Sequence, residues 1–321
     1  MITKEATYKK AFENIRESLK DKEREREILL ASAYNSNPRL TDIDRELSFI
    51  GANIAIAALS DGKKGIDDLR QKSEALALEK KLILEKAQIP EIKYNCEICK
   101  DTGYVSGKIC DCVKREAAAV MAKELSREMP LNDCRFDNFN LKYYSDKDDA
   151  EGQNPRRRMT AILKLCREYV IGFNPETSPN LLFMGSAGLG KTHLTLAIVS
   201  GVIEKGYIPV YASADNLFSV IEAEKFSGEG RGSYDSILNA DLLVIDDLGT
   251  EMATSFTKSA LYNIINTRML TRKPTIINTN LSMKQLEEKY TPRVSSRLIG
   301  SYDGYKFIGR DIRQQKRLES I

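Results

Sequence analysis

The stretch LLFMGSAGLGKTHL, residues 181–194, constrains this chain more than any other. An apolar run leads into a glycine-rich bend, and a Lys-Thr pair opens a segment of helical character. Gly185, Gly190, Lys191 and Thr192 fit the spacing G-x-x-x-x-G-K-[ST]. That pattern has physical meaning only between a buried strand and a helix N-terminus. The flanks NLLFM and THLTLAIVSGVIEK supply both. Glycines let the backbone curl until successive N–H groups converge, and the helix end adds a partial positive charge at the same point. The spacing therefore predicts a triphosphate cradle made by Gly185, Ser186, Ala187, Gly188, Leu189, Gly190, Lys191 and Thr192, with His193 adjoining it. Lys191 is expected to reach the β- and γ-phosphates, and the Thr192 hydroxyl to bind Mg²⁺. His193 is the only histidine, and a packing or hydrogen-bonding role is expected for it.

Downstream, ADLLVIDDLGTE contains an all-apolar run from Leu242 to Ile245 that ends in Asp246 and Asp247. Such a run suits a parallel strand buried on both faces. Carboxylates at its C-terminal end fall beside the phosphate loop. Asp246 is read as the Mg²⁺ partner, acting through water, and Asp247 as the residue that polarises or positions an attacking water. KPTIINTN reads as another strand, with Asn280 at its tip able to orient water or touch the γ-phosphate. In TPRVSSRLIG, Arg293 and Arg297 lie four apart and so share a helical face. An arginine there could reach a neighbouring subunit's γ-phosphate. From Arg157 onward helix and apolar strand alternate, which predicts parallel strands joined by helices.

The remainder of the 321 residues suffices for a second domain. Residues 1–95 are rich in Lys, Glu, Ala and Leu and read as three helices, broken at Pro38 and ended by Pro90. Phe12, Ile15, Leu19, Ile28 and Leu29 fall roughly on one side of the first, and Thr41 is a plausible cap for the second. DGKKG reads as the turn before the third. These helices fit a partner-docking region. Residues 96–129 form a separate unit, and 130–321 the nucleotide-binding domain. Cys96, Cys99, Cys110 and Cys112 are spaced C-x₂-C-x₁₀-C-x-C around a small hairpin with bends at Gly103 and Gly107. Four thiolates suit a structural, tetrahedral Zn²⁺; free thiols and an iron–sulfur cluster are the alternatives. Cys134 and Cys166 are expected to be ordinary buried thiols. The formal net charge is +3, which leaves room for a local nucleic-acid-binding face. No window has the length of apolar sequence a membrane span needs, and the first 20 residues lack a signal-peptide core, so a cytoplasmic location is expected.

The motifs GSAGLGKTHL, LLVIDDLGTE, INTNLS, RVSSRL and FIGRDIRQQK, with CRFDNFNL upstream, together resemble the AAA+ ATPases. The resemblance is greatest to the bacterial helicase-loader family of the DnaC and DnaI type, with the IstB transposition helpers as relatives, and covers about residues 130–318. It implies an α/β fold with a parallel sheet and a central phosphate-loop strand, preceded here by a helical, zinc-bearing N-terminal region. It implies slow, Mg²⁺-dependent ATP hydrolysis and ATP-dependent homo-oligomerisation. By that likeness Asn280 is the sensor-1 residue, Arg297 the arginine finger and Arg313 the sensor-2 arginine, with Arg310 as the alternative. The family binds single-stranded DNA through an element between the two motifs, where Lys225, Phe226 and Arg231 offer charge and stacking surface and Phe218 is a further aromatic. The implied partner is a DnaB-type replicative helicase, gripped by the N-terminal module. An IstB-like helper and a nucleotide-gated, non-catalytic adaptor are the rival readings; Asp247, standing where Glu is more usual, keeps the latter open.

Overall fold

The computed structural model describes residues 3–59, 66–227 and 232–319. The chain forms two compact units, one of Glu13–Cys110 and one of Met1–Phe12 with Asp111–Ile321.

The smaller unit is built on helices α1 (Lys4–Ser36), α2 (Arg39–Leu59) and α3 (Ile66–Lys86). Helix α1 ends where Pro38 removes a backbone donor. Pro38 then opens α2, its carbonyl accepting from the N–H groups of Thr41 (3.0 Å) and Asp42 (3.3 Å). Thr41 therefore lies inside the first turn of α2 and does not cap it. Arg39 grips Glu79 with two parallel bonds of 2.8 and 2.9 Å, and Lys80 pairs with Asp44 at 2.5 Å, holding α2 against α3. Ile28 and Leu29 are exposed, unlike Ala33 on the same helix. The DGKKG stretch lies outside the described residues. A two-residue turn, Ser106-Gly107, joins β1 (Tyr104–Val105) to β2 (Lys108–Ile109). Both turn residues have positive φ, 49° and 77°, the geometry whose twist matches a tight antiparallel hairpin.

In the larger unit α4 (Asp111–Glu128) and α5 (Pro155–Ile171) precede a five-stranded sheet. Its strands are β3 (Asn180–Met184), β4 (Pro209–Ser213), β5 (Leu242–Leu248), β6 (Thr275–Thr279) and β7 (Tyr302–Lys306). They run parallel in the order β4-β5-β6-β3-β7. Parallel strands covered on both faces read as continuous apolar runs, as Leu181–Phe183, Leu242–Ile245 and Ile276–Ile277 do, all buried. The phosphate-loop strand β3 is interior, flanked by β6 and β7, while the middle strand is β6. This order sets β6 between the glycine loop and the acidic strand end.

The crossovers and flanking segments are α6 (Lys191–Glu204), α7 (Ala214–Ser227), α8 (Gly232–Asn239), α9 (Ser255–Leu270), α10 (Met283–Lys289), α11 (Pro292–Ser301) and α12 (Ile312–Glu319). Sequence divides the chain at 95/96 and 129/130, whereas packing divides it after Cys110. The reason lies in α4, which buries Val113, Ala117 and Met121 on one face and packs on α6. Arg268 of α9 is fully buried. It donates to the carbonyls of Ile237, Leu238, Ala240 and Pro274 and to the Thr275 hydroxyl, tying the end of α8 to the start of β6. Burial lowers its pKa to about 10, and the five acceptors satisfy a charge that would otherwise be costly there.

Candidate functional site

The glycine loop is shaped by what surrounds it. Gly190 has φ 85° and opens α6; a Cβ there would lie 2.8 Å from the Phe139 ring and 3.0 Å from the Tyr144 hydroxyl. The Tyr144 hydroxyl donates to the Leu189 carbonyl at 2.9 Å, and burial raises its pKa, so it stays a donor. On the other side the Ile312 N–H donates to the Gly188 carbonyl at 3.0 Å. Both partners come from segments remote in sequence. Phe139 stacks on Tyr144 and meets His193 edge-on. His193 Nε2 pairs with the Arg135 carbonyl at 2.9 Å, and burial lowers the His193 pKa, which keeps the ring neutral. It is thus a packing and hydrogen-bonding residue at the rim of the loop.

Lys191, 5% exposed, donates to the carbonyls of Gly185 (2.6 Å) and Ser186 (2.9 Å) and to Asn280 Oδ1 (2.5 Å). Burial pushes its pKa down, and Asp247 and Asp246 pull it back up. Asp246 lies in the C-terminal half of β5, its Oδ1 accepting from Asn278 Nδ2 at 2.7 Å and its Oδ2 from the Tyr211 hydroxyl. The next residue sits in a bulge. Between the pairs Ile245–Ile277 and Leu248–Thr279, β5 carries one more residue than β6. Asp247 absorbs it with φ 53°, and a bulge of this kind re-aims a side chain. Burial and the neighbouring Asp246 raise the Asp247 pKa, opposed by Lys191 and Arg313.

These groups line one cavity of about 640 Å³, of a size suited to a nucleotide. Gly188, Leu189, Gly190, Lys191, Thr192, His193, Asp246, Asp247, Asn280 and Arg313 all face it, as does Ala187. Gly185 and Ser186 enter through their carbonyls on Lys191. Arg310 does not line the cavity, whereas Arg313 does. Arg297 is elsewhere: its guanidinium lies 4.3 Å over the Tyr262 ring and donates to the Tyr262 hydroxyl (2.6 Å) and Asn266 Oδ1 (2.9 Å). Arg293 is exposed on the same helix. Phe218 is core and Phe226 exposed, Lys225 covers the Phe256 ring at 5.1 Å, and Arg231 lies outside the described residues.

Two cavity residues, Tyr143 and Tyr211, lie outside every motif, while Phe139 and Cys134 fall within the CRFDNFNL stretch. Cys134 is half-buried and faces the cavity, so it is not the ordinary buried thiol expected, whereas Cys166 is. The signal for Tyr143 is the aromatic content of CRFDNFNLKYY, which looks like a polar connector because its buried residues come singly; nothing in the sequence marks Tyr211. The glycine loop, the Lys191 ammonium and the presence of Thr192 and Asp246 in the lining of the same cavity suit a nucleoside triphosphate with Mg²⁺.

The four cysteine sulfurs Cys96, Cys99, Cys110 and Cys112 lie within 4.8 Å of one another. Cys96 and Cys110 Sγ are 3.8 Å apart. A tetrahedral ion bonded to each sulfur at about 2.3 Å sets neighbouring sulfurs about 3.8 Å apart, so the donor set fits Zn²⁺. The backbone N–H of Cys99 is the main influence bringing the Cys96 thiol down to about 7, against its burial. Asp101, buried and with φ 57°, accepts from the N–H groups of Asn95 and Cys96, both at 2.8 Å. Lys22 of α1 donates to the Lys93 carbonyl (2.7 Å) and Asn95 Oδ1 (2.9 Å), and its ammonium is 3.8 Å from Asp101.

Residues 168–296 match the family model of the IstB-like ATP binding protein. The chain is 27% identical over 189 residues to the replicative helicase loader DnaC of Escherichia coli (strain K12), covering 55% of this chain and 71% of that protein. It is 25% identical over 247 residues to the phage-like element PBSX protein XkdC of Bacillus subtilis (strain 168), covering 69% and 83%. Among solved structures, the crystal structure of the DnaC helicase loader aligns with a TM-score of 0.44 at 27% identity, covering 53% of this chain and 97% of that one. No described helix is long and apolar enough to cross a membrane. With a glycine loop and an acidic strand end in one unit, residues 168–296 match the IstB-like ATP binding protein family and lie in a chain similar to the replicative helicase loader DnaC.

Proposed function

We propose that this protein is an ATP-dependent loader that delivers a DnaB-type replicative helicase onto single-stranded DNA. The observation that carries the reading is one cavity lined by Lys191, Thr192, Asp246, Asn280 and Arg313, in a chain similar to a replicative helicase loader. Bound ATP·Mg²⁺ would supply the charge and the bond energy of the switch. Lys191 would neutralise the β- and γ-phosphates, and Thr192 and Asp246 would hold the ion. Asp247 would orient the attacking water, and Asn280 and Arg313 would register the γ-phosphate. Arg297, held on Tyr262 outside its own cavity, would act on the nucleotide of a neighbouring copy. The zinc-bearing helical unit would grip the helicase, and Lys225 and Phe226 would meet single-stranded DNA.

The test is co-purification of the full chain with its host's replicative helicase, with and without ATP. An ATP-dependent complex at micromolar concentration is expected, and its absence overturns the loader role. The match to the IstB-like family favours a second reading, a transposition helper that loads on duplex DNA. ATPase stimulation by single-stranded rather than double-stranded DNA separates the two. Turnover undetectable even with DNA and helicase present would make the protein a nucleotide-gated adaptor.

A further inference from the structure

Asp246 receives three hydrogen bonds. Asn278 Nδ2 and the Asp247 N–H (2.9 Å) donate to Oδ1, and the Tyr211 hydroxyl donates to Oδ2. Behind Asn278, its Oδ1 accepts from the Thr195 hydroxyl of α6 at 3.0 Å. One polar chain thus runs from the phosphate-loop helix through β6 and β5 to β4. Thr195, Asn278 and Asp246 are buried. Of the side chains that support the carboxylate, Tyr211 alone lines the nucleotide cavity. The Tyr211 phenol is the donor in its contact with Asp246, since a carboxylate only accepts.

A carboxylate offers about four lone-pair sites. With two donors on Oδ1 and one on Oδ2, a single site is left, on the oxygen that Tyr211 engages, and both oxygens cannot bind a cation directly. Mg²⁺ keeps several of its waters and is content with a carboxylate that accepts from them, whereas Ca²⁺ seeks carboxylate oxygens directly, often both. We propose that Tyr211 is a positioning and ion-discriminating residue of this site: by occupying Asp246 Oδ2 it confines the carboxylate to the ion's water shell, which favours Mg²⁺ over larger, more readily dehydrated divalent cations. The inference rests on reading the cavity as an ATP·Mg²⁺ site.

The experiment is calorimetric ATP binding to the full chain and to Tyr211→Phe, without metal and with Mg²⁺, Mn²⁺ or Ca²⁺. The quantity read is the ATP affinity with each ion relative to that without metal, for wild type and variant alike. Removing the hydroxyl should lower the Mg²⁺-over-Ca²⁺ preference by about tenfold, the scale on which groups that orient metal ligands act. Equal weakening under all four conditions, or an unchanged ion preference, overturns the inference. If Tyr211→Phe does not fold, as judged by its thermal transition, Tyr211→Met keeps the packing without the donor and is read in the same way. Failure of the wild-type chain to bind ATP at all would instead defeat the underlying reading of the cavity.

Discussion

Lys191 Nζ donates to Asn280 Oδ1 at 2.5 Å, joining the first residue of α6 to the residue that follows β6. The two lie 89 residues apart in sequence, and the sheet order alone makes them neighbours. Their union puts a cation and an amide on the wall of one cavity. Lys191→Ala is expected to weaken ATP binding by at least about tenfold, since a hydrogen bond to a charged group is worth about 1.5–3 kcal/mol. Asn280→Ala is expected to weaken binding less than Lys191→Ala and to slow turnover more than it weakens binding. Calorimetry and single-turnover hydrolysis read the two effects; unchanged binding by the Lys191 variant would remove its assigned role.

Asp247 gives a pH dependence whose sign follows from its surroundings. Burial and Asp246 raise its pKa in the folded chain. The folded state therefore holds this proton more tightly than the unfolded state does. Its contribution to stability is greatest below the ordinary carboxylate range, declines as pH rises toward the raised value, and remains a cost above it. Asp247→Asn lacks that cost and retains a residue that accepts positive φ. The variant is expected to unfold at higher urea concentration than wild type at pH 7, with the gap closing toward pH 4. Turnover should fall by about 100-fold or more, as for loss of a group that positions or deprotonates water.

In the cysteine module Asp101 sets the geometry from behind. Its carboxylate fixes the backbone at Asn95 and Cys96. Asp101→Ala is expected to lower zinc affinity by about 10–100-fold, measured by competition with a chelating dye, while Lys22→Ala, at a longer distance, lowers it less. One zinc per chain is the expected stoichiometry. Its removal should unfold the β1–β2 hairpin, because the ligand bonds tie folding to the metal.

Gly188 links the loop to α12. A Cβ there would fall 2.1 Å from Asp311 Oδ1, at φ 74°. That same oxygen accepts from the Arg313 N–H at 2.8 Å at the start of the helix. Gly188→Ala is expected to displace the start of α12 and withdraw Arg313 from the cavity. It should cost about 1–2 kcal/mol from the left-handed backbone alone. Asp311→Ala removes only the cap, about 1 kcal/mol. Urea unfolding and ATP binding measured on both variants separate the two effects; unchanged ATP affinity in Gly188→Ala would dissociate α12 from the site.

The sequence by itself determined the features that are local. The spacing of Gly185, Gly190, Lys191 and Thr192, the apolar run into Asp246 and the paired cysteines each specify a short piece of backbone and its chemistry. Parallel strands followed from apolar runs alternating with helices, because burial on both faces leaves no polar alternation. Tertiary structure decided what depends on neighbours distant in the chain. It set β6 between β3 and β5, put Tyr144 and Phe139 beneath Gly190, inserted the bulge at Asp247, and brought Tyr211 onto Asp246. It joined Met1–Phe12 to Asp111–Ile321 in one compact unit and set Arg297 on Tyr262. The physical reason is that periodicity in a sequence records which side of an element is buried, whereas the identity of the partner is fixed only when all elements compete for the same core.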